Sequence, residues 1–270
     1  MNKLFLIQLI ISFIVGGSFI ALLSFIAEKA GSRISGIIIA FPSTAALSFF
    51  FLGWALSPQA VADIVPSTLI PLALAVLFTA VYAYAAEYFE RIIKNRIWQI
   101  IMSYSVSIGF WFALTTPLIV LKLNNLAVGM VGYALIVLAA HLLLHRKHHE
   151  KPIAFTYTFG QKIGRALFVG VIVFLAVFFG KILNPFWGGM FAMFPAAYSS
   201  LMIIFHWYYG PQGLFPAMQK VAIGSLSLCA YALMVMFAFP AYGFIYGTII
   251  AYVVSLIISL ILIRFQQRPS

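Results

Sequence analysis

Two short stretches hold the residue types best suited to chemistry inside an apolar chain: Phe41-Pro42-Ser43-Thr44 and Phe194-Pro195-Ala196-Ala197-Tyr198-Ser199. Proline has no amide hydrogen and its ring clashes with the preceding turn, so Pro42 frees the carbonyl of Ile38 and Pro195 that of Phe191. A helix restarting after each proline exposes unpaired first-turn amides and the positive end of its dipole. Ser43 and Thr44 put hydroxyls on the first such end, and Tyr198 and Ser199 put them one turn into the second. With Phe41, Pro42, Phe194 and Pro195 as its frame, this set reads as a binding site for a small anion or a polar neutral solute. The plainer alternative is that each proline kinks its helix while the hydroxyls bond back to backbone carbonyls.

Ionisable residues inform mainly by where they are missing. No Asp, Glu, Lys or Arg falls in the central part of any apolar span, which disfavours a midplane carboxylate as proton relay or cation site. The remaining coupling or gating candidates are Glu28 and Glu87 near helix ends, Asp63 in the loop between the second and third spans, and His206; interfacial pairing is the plainer role for the acids. His206, beside Trp207 and Tyr208, reads first as an interface residue and second as a gate. His141 and His145 share a helix face at the end of the fifth span, followed by His148, His149 and Glu150. No cysteine joins them, and Arg146 and Lys147 would repel a cation, so they read as a solvated basic helix end. Trp54 and Trp207 read as interfacial tryptophans at opposite faces. No nucleotide loop, Ser-His-Asp set or HExxH motif occurs. The expectation is a non-enzyme with no catalytic residues, metal or cofactor.

The elements that must position these residues are duplicated. Residues 36–60 and 189–213 align without gaps at an offset of 153, pairing Gly36 with Gly189, Phe41 with Phe194, Pro42 with Pro195, Trp54 with Trp207, Pro58 with Pro211 and Gln59 with Gln212. Upstream the register also pairs Gly17 with Gly170, Leu22 with Leu175 and Phe25 with Phe178. In a chain that is 64% hydrophobic, aliphatic matches mean little, but Gly, Phe-Pro, Trp and Pro-Gln at one offset indicate an internal repeat.

Only 8% of the 270 residues are charged and 17% are aromatic, so no soluble fold could clothe the chain in polar surface. It reads as an all-α polytopic membrane protein. The formal charge of +11 would suggest nucleic acid in a soluble protein; here the basic residues sit at helix ends, where orientation and anionic lipid account for them. Cys229, the single cysteine, lies in an apolar run and permits no intrachain disulfide. The first 29 residues are too long in their apolar part for a signal peptide and read as a mature helix. Apolar windows place nine spans near 4–27, 34–56, 67–88, 97–121, 125–144, 165–183, 187–209, 217–238 and 241–263. Thirteen Lys and Arg then fall on one side and three on the other, which puts the amino terminus outside and the carboxyl terminus in the cytoplasm of an inner membrane. Five spans separate the two copies, so the second is upside down relative to the first. The expected organisation is a four-helix repeat over 1–122, a linker helix and basic loop over 123–160, and an inverted four-helix repeat over 161–270.

Each copy resembles the GlpM family of small bacterial inner-membrane proteins. The resemblance is carried by the entry at Ile34, Ser35 and Gly36, by Phe41 to Thr44, and by GGMFAMFPAAYSS followed by FHW in the second copy. It covers the first two helices of each half and implies a compact helical repeat without naming a substrate. The second copy departs from it at Ala196 and Ala197, where the first has Ser43 and Thr44. Inverted repeats with broken helices in matching positions point to a transporter rocking about a central site. The expected partners are a small-molecule substrate and the lipid bilayer, with a homo-oligomer left open. The alternatives are an accessory or scaffold subunit in envelope lipid or polymer metabolism, and a lipid-acting membrane enzyme, which lacks a convergent acid, base or nucleophile.

Overall fold

The computed structural model describes residues 3–29, 43–145 and 158–266, and every regular element in them is helical. Phe41, Pro42, the entry at 34–36 and the His148–Glu150 segment lie outside the described residues, as does the side chain of Glu28. The helices are α1 (Lys3–Lys29), α2 (Ser43–Ala55), α3 (Pro58–Ile92), α4 (Arg96–Val120), α5 (Leu126–His145), α6 (Phe159–Ile182), α7 (Pro185–Ala192), α8 (Ala196–Tyr209), α9 (Leu214–Met218) and α10 (Val221–Gln266). Seven helical stretches among them are long and apolar enough to cross a membrane, with α7 and α8 taken together as one. The chain is therefore a polytopic helical membrane protein.

In lipid the hydrophobic effect does not hold helices together, so close approach and hydrogen bonds must. One such close approach joins α1 to α6. A Cβ added at Gly17 would lie 2.9 Å from the carbonyl oxygen of Ala166, and one added at Gly170 would lie 2.7 Å from that of Phe13. Toward the other end of the same contact the Lys162 ammonium sits 4.2 Å above the Phe25 ring. As the α1 number falls from 25 to 13, its α6 partner rises from 162 to 170, so the two helices run antiparallel.

The 46 residues of α10 would measure about 69 Å at 1.5 Å per residue, twice what a bilayer core needs. Gly243, at φ 73° and ψ 173°, turns the chain back on itself. A Cβ at Gly247 would meet the Ala238 carbonyl at 3.1 Å, and Ser255 Oγ donates to the Ser227 carbonyl at 2.9 Å. The Tyr231 and Tyr252 rings meet across the same seam at 5.2 Å, tilted 56° to each other. The element is a hairpin of two arms, 221–242 and 244–266, close to the last two spans read from the sequence.

The central column is α3, the most buried of the long helices. It begins at Pro58, nine residues before the expected start, because Ser57 caps it by accepting from the Ala60 amide at 3.0 Å and proline suits the first helical position. Asp63 consequently stands in the second turn of α3 and not in a loop, exposed and accepting from Gln59 Nε2 at 2.7 Å. Pro66 does not end this helix. Asn124 replaces the bond lost beside it: its Oδ1 accepts from the Ser67 amide at 3.1 Å and its Nδ2 donates to the Asp63 carbonyl at 2.7 Å.

Candidate functional site

The break in the second copy falls where its proline requires. Asn184 caps α7 by accepting from the Phe186 amide at 3.1 Å, α7 ends at Ala192, and α8 begins at Ala196 with no side-chain cap. The Phe191 carbonyl freed by Pro195 is not left open; it accepts from the Phe194 amide at 3.1 Å in a tightened turn. The Phe194 ring is buried against Trp111 at 5.4 Å, Phe112 at 6.0 Å and Phe168 at 6.1 Å. Packing by α4 and α6 therefore holds the break rigid.

In the first copy the described helix begins at Ser43, the position that the offset of 153 pairs with Ala196. Its carboxyl-terminal half runs along α7: a Cβ at Gly188 would meet the Leu52 side chain at 2.7 Å. Ala45, Ala46 and Phe49 share one buried cluster with Ala192 and Met193 of the other copy's break. The structure thus brings the first turn of α2 and the α7–α8 break to the same core.

Buried serines and threonines in this chain follow a rule with few exceptions. Ser12, Ser67, Thr68, Thr79, Ser103, Ser107, Thr115, Ser225 and Ser259 donate back to a carbonyl three or four residues earlier at 2.6–2.9 Å. Thr44 Oγ1, Ser48 Oγ and Ser199 Oγ are buried without such a bond. All three lie in the first two turns of α2 or α8. Ser199 has the Tyr104 hydroxyl beside it; Tyr198 is half-buried, and elsewhere in the core the Tyr133 hydroxyl bonds Ser225 Oγ at 2.8 Å. Ser43 is half-buried. Bonding back to the backbone, as the kink-only account has it, describes the other buried serines and threonines among the described residues and not Thr44, Ser48 and Ser199.

Of the remaining candidates, Glu87 is half-buried near the end of α3. His206 is not at an interface. It is fully buried, with Nδ1 3.2 Å from the Tyr82 hydroxyl. His141 and His145 have ring centroids 4.0 Å apart, and no group of three or more metal-ligating side chains occurs among the described residues.

Both hairpin exits are tied by side chains. At one end of the bundle Gln8 Nε2 donates to the Trp54 carbonyl at 3.0 Å and Lys181 Nζ to the Ala55 carbonyl at 3.1 Å. At the other, Arg96 Nη1 donates to the Trp207 carbonyl at 3.0 Å and Gln161 Nε2 to the Tyr208 hydroxyl at 3.2 Å. Gln8 and Gln161 are themselves 153 apart, as are Trp54 and Trp207. Each exit is held by a glutamine from its own copy and by a cation from the other half. The glutamine pair was legible in the sequence; the cations were not. No family model, curated protein or solved structure matches the chain.

Proposed function

We propose that the chain is an integral membrane transporter of a small polar solute, an anion or an uncharged hydrogen-bonding molecule. It works by alternating access at a site between the second span and the α7–α8 break. Nine crossings make up the fold: the seven long stretches, the second span that ends in α2, and the second arm of α10. They form a GlpM-like inverted repeat of four helices, a linker (α5) and four helices. The antiparallel crossing of α1 and α6 supports the inversion, since it pairs Gly17 with Ala166 and Gly170 with Phe13, the same contact written twice at an offset of 153. The skew of basic residues assigns the Trp207 end to the cytoplasm and the amino terminus to the outside.

The observation that carries the transport reading is the set of unpartnered hydroxyls of Thr44, Ser48 and Ser199 at the starts of α2 and α8. A buried hydroxyl without a partner costs about 1–3 kcal/mol, a cost that a bound solute or water removes. Half-helix starts add amide donors, and the absence of a charged side chain among these hydroxyls suits a ligand that needs no buried counter-ion. The test is flux into proteoliposomes across a panel of small anions and polyols, with Pro42→Ala, Pro195→Ala and Thr44→Val. A solute carried by the wild type should be carried at least about tenfold more slowly by Thr44→Val and by one or both proline variants. Unchanged flux in all three removes the site; no flux of any solute by the wild type returns the chain to an accessory-subunit role.

A further inference from the structure

His206 has a feature that the solute site does not use. Its ring is fully buried, Nδ1 meets the Tyr82 hydroxyl at 3.2 Å, and Nε2 is buried with no hydrogen-bond partner. A neutral imidazole carries one N–H and one lone pair. Whichever nitrogen holds the hydrogen, Tyr82 satisfies one of them and the other goes unmet. A leucine or phenylalanine would fill the same volume without that penalty. The offset of 153 places Gly53 at the matching position of the first copy, where a Cβ would meet Phe244 at 2.7 Å. The imidazole therefore belongs to one end of the bundle only.

Polar and ionisable groups of three neighbouring helices lie at this end of α8. From α3 come Tyr82 and, in the last two turns, Glu87 and Glu90, the latter 3.9 Å from a Cβ built at Gly210. From α4 comes Arg96, which donates to the carbonyl of the next residue, Trp207. From α6 comes the uncharged Gln161, bonded to Tyr208, with Lys162 and Arg165 in the same two turns. The turn Pro211–Gly213 and α9 carry no ionisable residue. Inward, Phe78 packs against both Tyr82 and Tyr104, at 6.3 and 6.2 Å between ring centroids.

We propose that His206 is a proton-binding site that controls opening of the Trp207 end. In the tautomer that donates from Nδ1 to the Tyr82 oxygen, the Nε2 lone pair is free to take a proton from water. The resulting imidazolium has a second N–H needing an acceptor and a positive charge next to Arg96. The closed end supplies neither acceptor nor counter-charge at Nε2, so the charged ring favours the arrangement that admits water. The proposal rests on the transport reading for what the opening serves, whereas the protonation itself does not.

The test is nitrogen NMR of protein labelled with 15N-histidine in lipid nanodiscs, titrated from about pH 8 to about pH 3.5, through the range in which imidazole ordinarily titrates and well below it. His206→Gln assigns the ring among the five histidines. The His206 signal should pass from the neutral tautomer to imidazolium within that range. Arg96→Gln should raise the imidazolium fraction at about pH 6 by about threefold or more by removing the neighbouring charge, and Tyr82→Phe should change the neutral-state tautomer ratio. A ring that stays neutral to about pH 3.5, or that titrates identically in both variants, overturns the proposal. Flux separates the two readings. A wild type that carries a solute independently of pH defeats the coupling, while one that carries no solute defeats the transport reading and leaves the titration to stand by itself.

Discussion

The two hairpin exits, at Trp54 and at Trp207, are built from matching residues and held in different ways. At Trp54 the chain is fastened by Gln8 and Lys181, both bonding main-chain carbonyls, and the next turn presents Gly53 flat against Phe239 and Phe244. At Trp207 the glutamine bonds a tyrosine hydroxyl instead, the carbonyl is left to Arg96, and a buried imidazole stands where the glycine was. The first exit closes through packing of Gly53 and bonds from Gln8 and Lys181, with no buried imidazole among them. The second closes through hydrogen bonds to an ionisable ring and an arginine. Residues that match at the offset of 153 thus stand in different surroundings at the two ends.

The mirror between the copies can be broken most forcefully at the α1–α6 crossing. Gly17→Leu and Gly170→Leu should each destabilise the protein by about 2–3 kcal/mol, since each drives a side chain into a backbone carbonyl. Gly164→Ala, which meets open space, should stay within about 0.5 kcal/mol. Thermal unfolding in detergent would read all three, and unequal losses for the two leucine variants would mean that the crossing is not symmetric.

Two prolines sharpen the comparison further, because one helix survives its proline and the other stops. Asn124→Ala removes the bridge beside Pro66 and leaves the Ser67 amide and the Asp63 carbonyl unpaired, a loss of about 1–3 kcal/mol with faster hydrogen exchange at Ser67. No such dependence should appear at Pro195, whose break is held by Phe194 among Trp111, Phe112 and Phe168.

At the exits themselves Lys181→Ala and Arg96→Ala should each cost about 1 kcal/mol of stability. Their consequences for access should differ: a membrane-impermeant thiol reagent reaching Trp54→Cys or Trp207→Cys in a Cys229→Ser background should react faster only at the end whose cation was removed. Reaction at both ends in either variant would break the assignment of one fastening to each face.

The smallest effect has the opposite sign. Thr44→Val exchanges an unpartnered buried hydroxyl for a methyl of the same shape and should leave stability unchanged or raise it by up to about 1 kcal/mol while slowing flux. Thr68→Val, at a hydroxyl that bonds the Val65 carbonyl at 2.7 Å, should show no gain. A clear loss of stability in Thr44→Val would show that its hydroxyl serves the fold.

Much of this was legible in the residues. The membrane class followed from composition, because a chain with so few charges has no other solvent. The place of the second break followed from Pro195, since the missing amide is a local fact. The early start of α3 is announced by Ser57-Pro58, a cap followed by a proline at the first helical position, a local signal that hydropathy alone does not carry; Asp63 enters the helix with it. His206 departs from its sequence reading for a different reason. Its neighbours Trp207 and Tyr208 are exposed and look interfacial, while the residue that buries it, Tyr82, is 124 positions away.

By itself the sequence determined the apolar spans, the proline interruptions and the repeat of residue types at one offset, because hydropathy and proline stereochemistry act over a few residues. Only the tertiary structure decided that the Thr44, Ser48 and Ser199 hydroxyls would lack partners, that Arg96 and Lys181 would fasten the exits, and that His206 would be enclosed. Those outcomes depend on which helix faces meet, and a hydrogen bond or its absence belongs to a pair of groups brought together from distant parts of the chain.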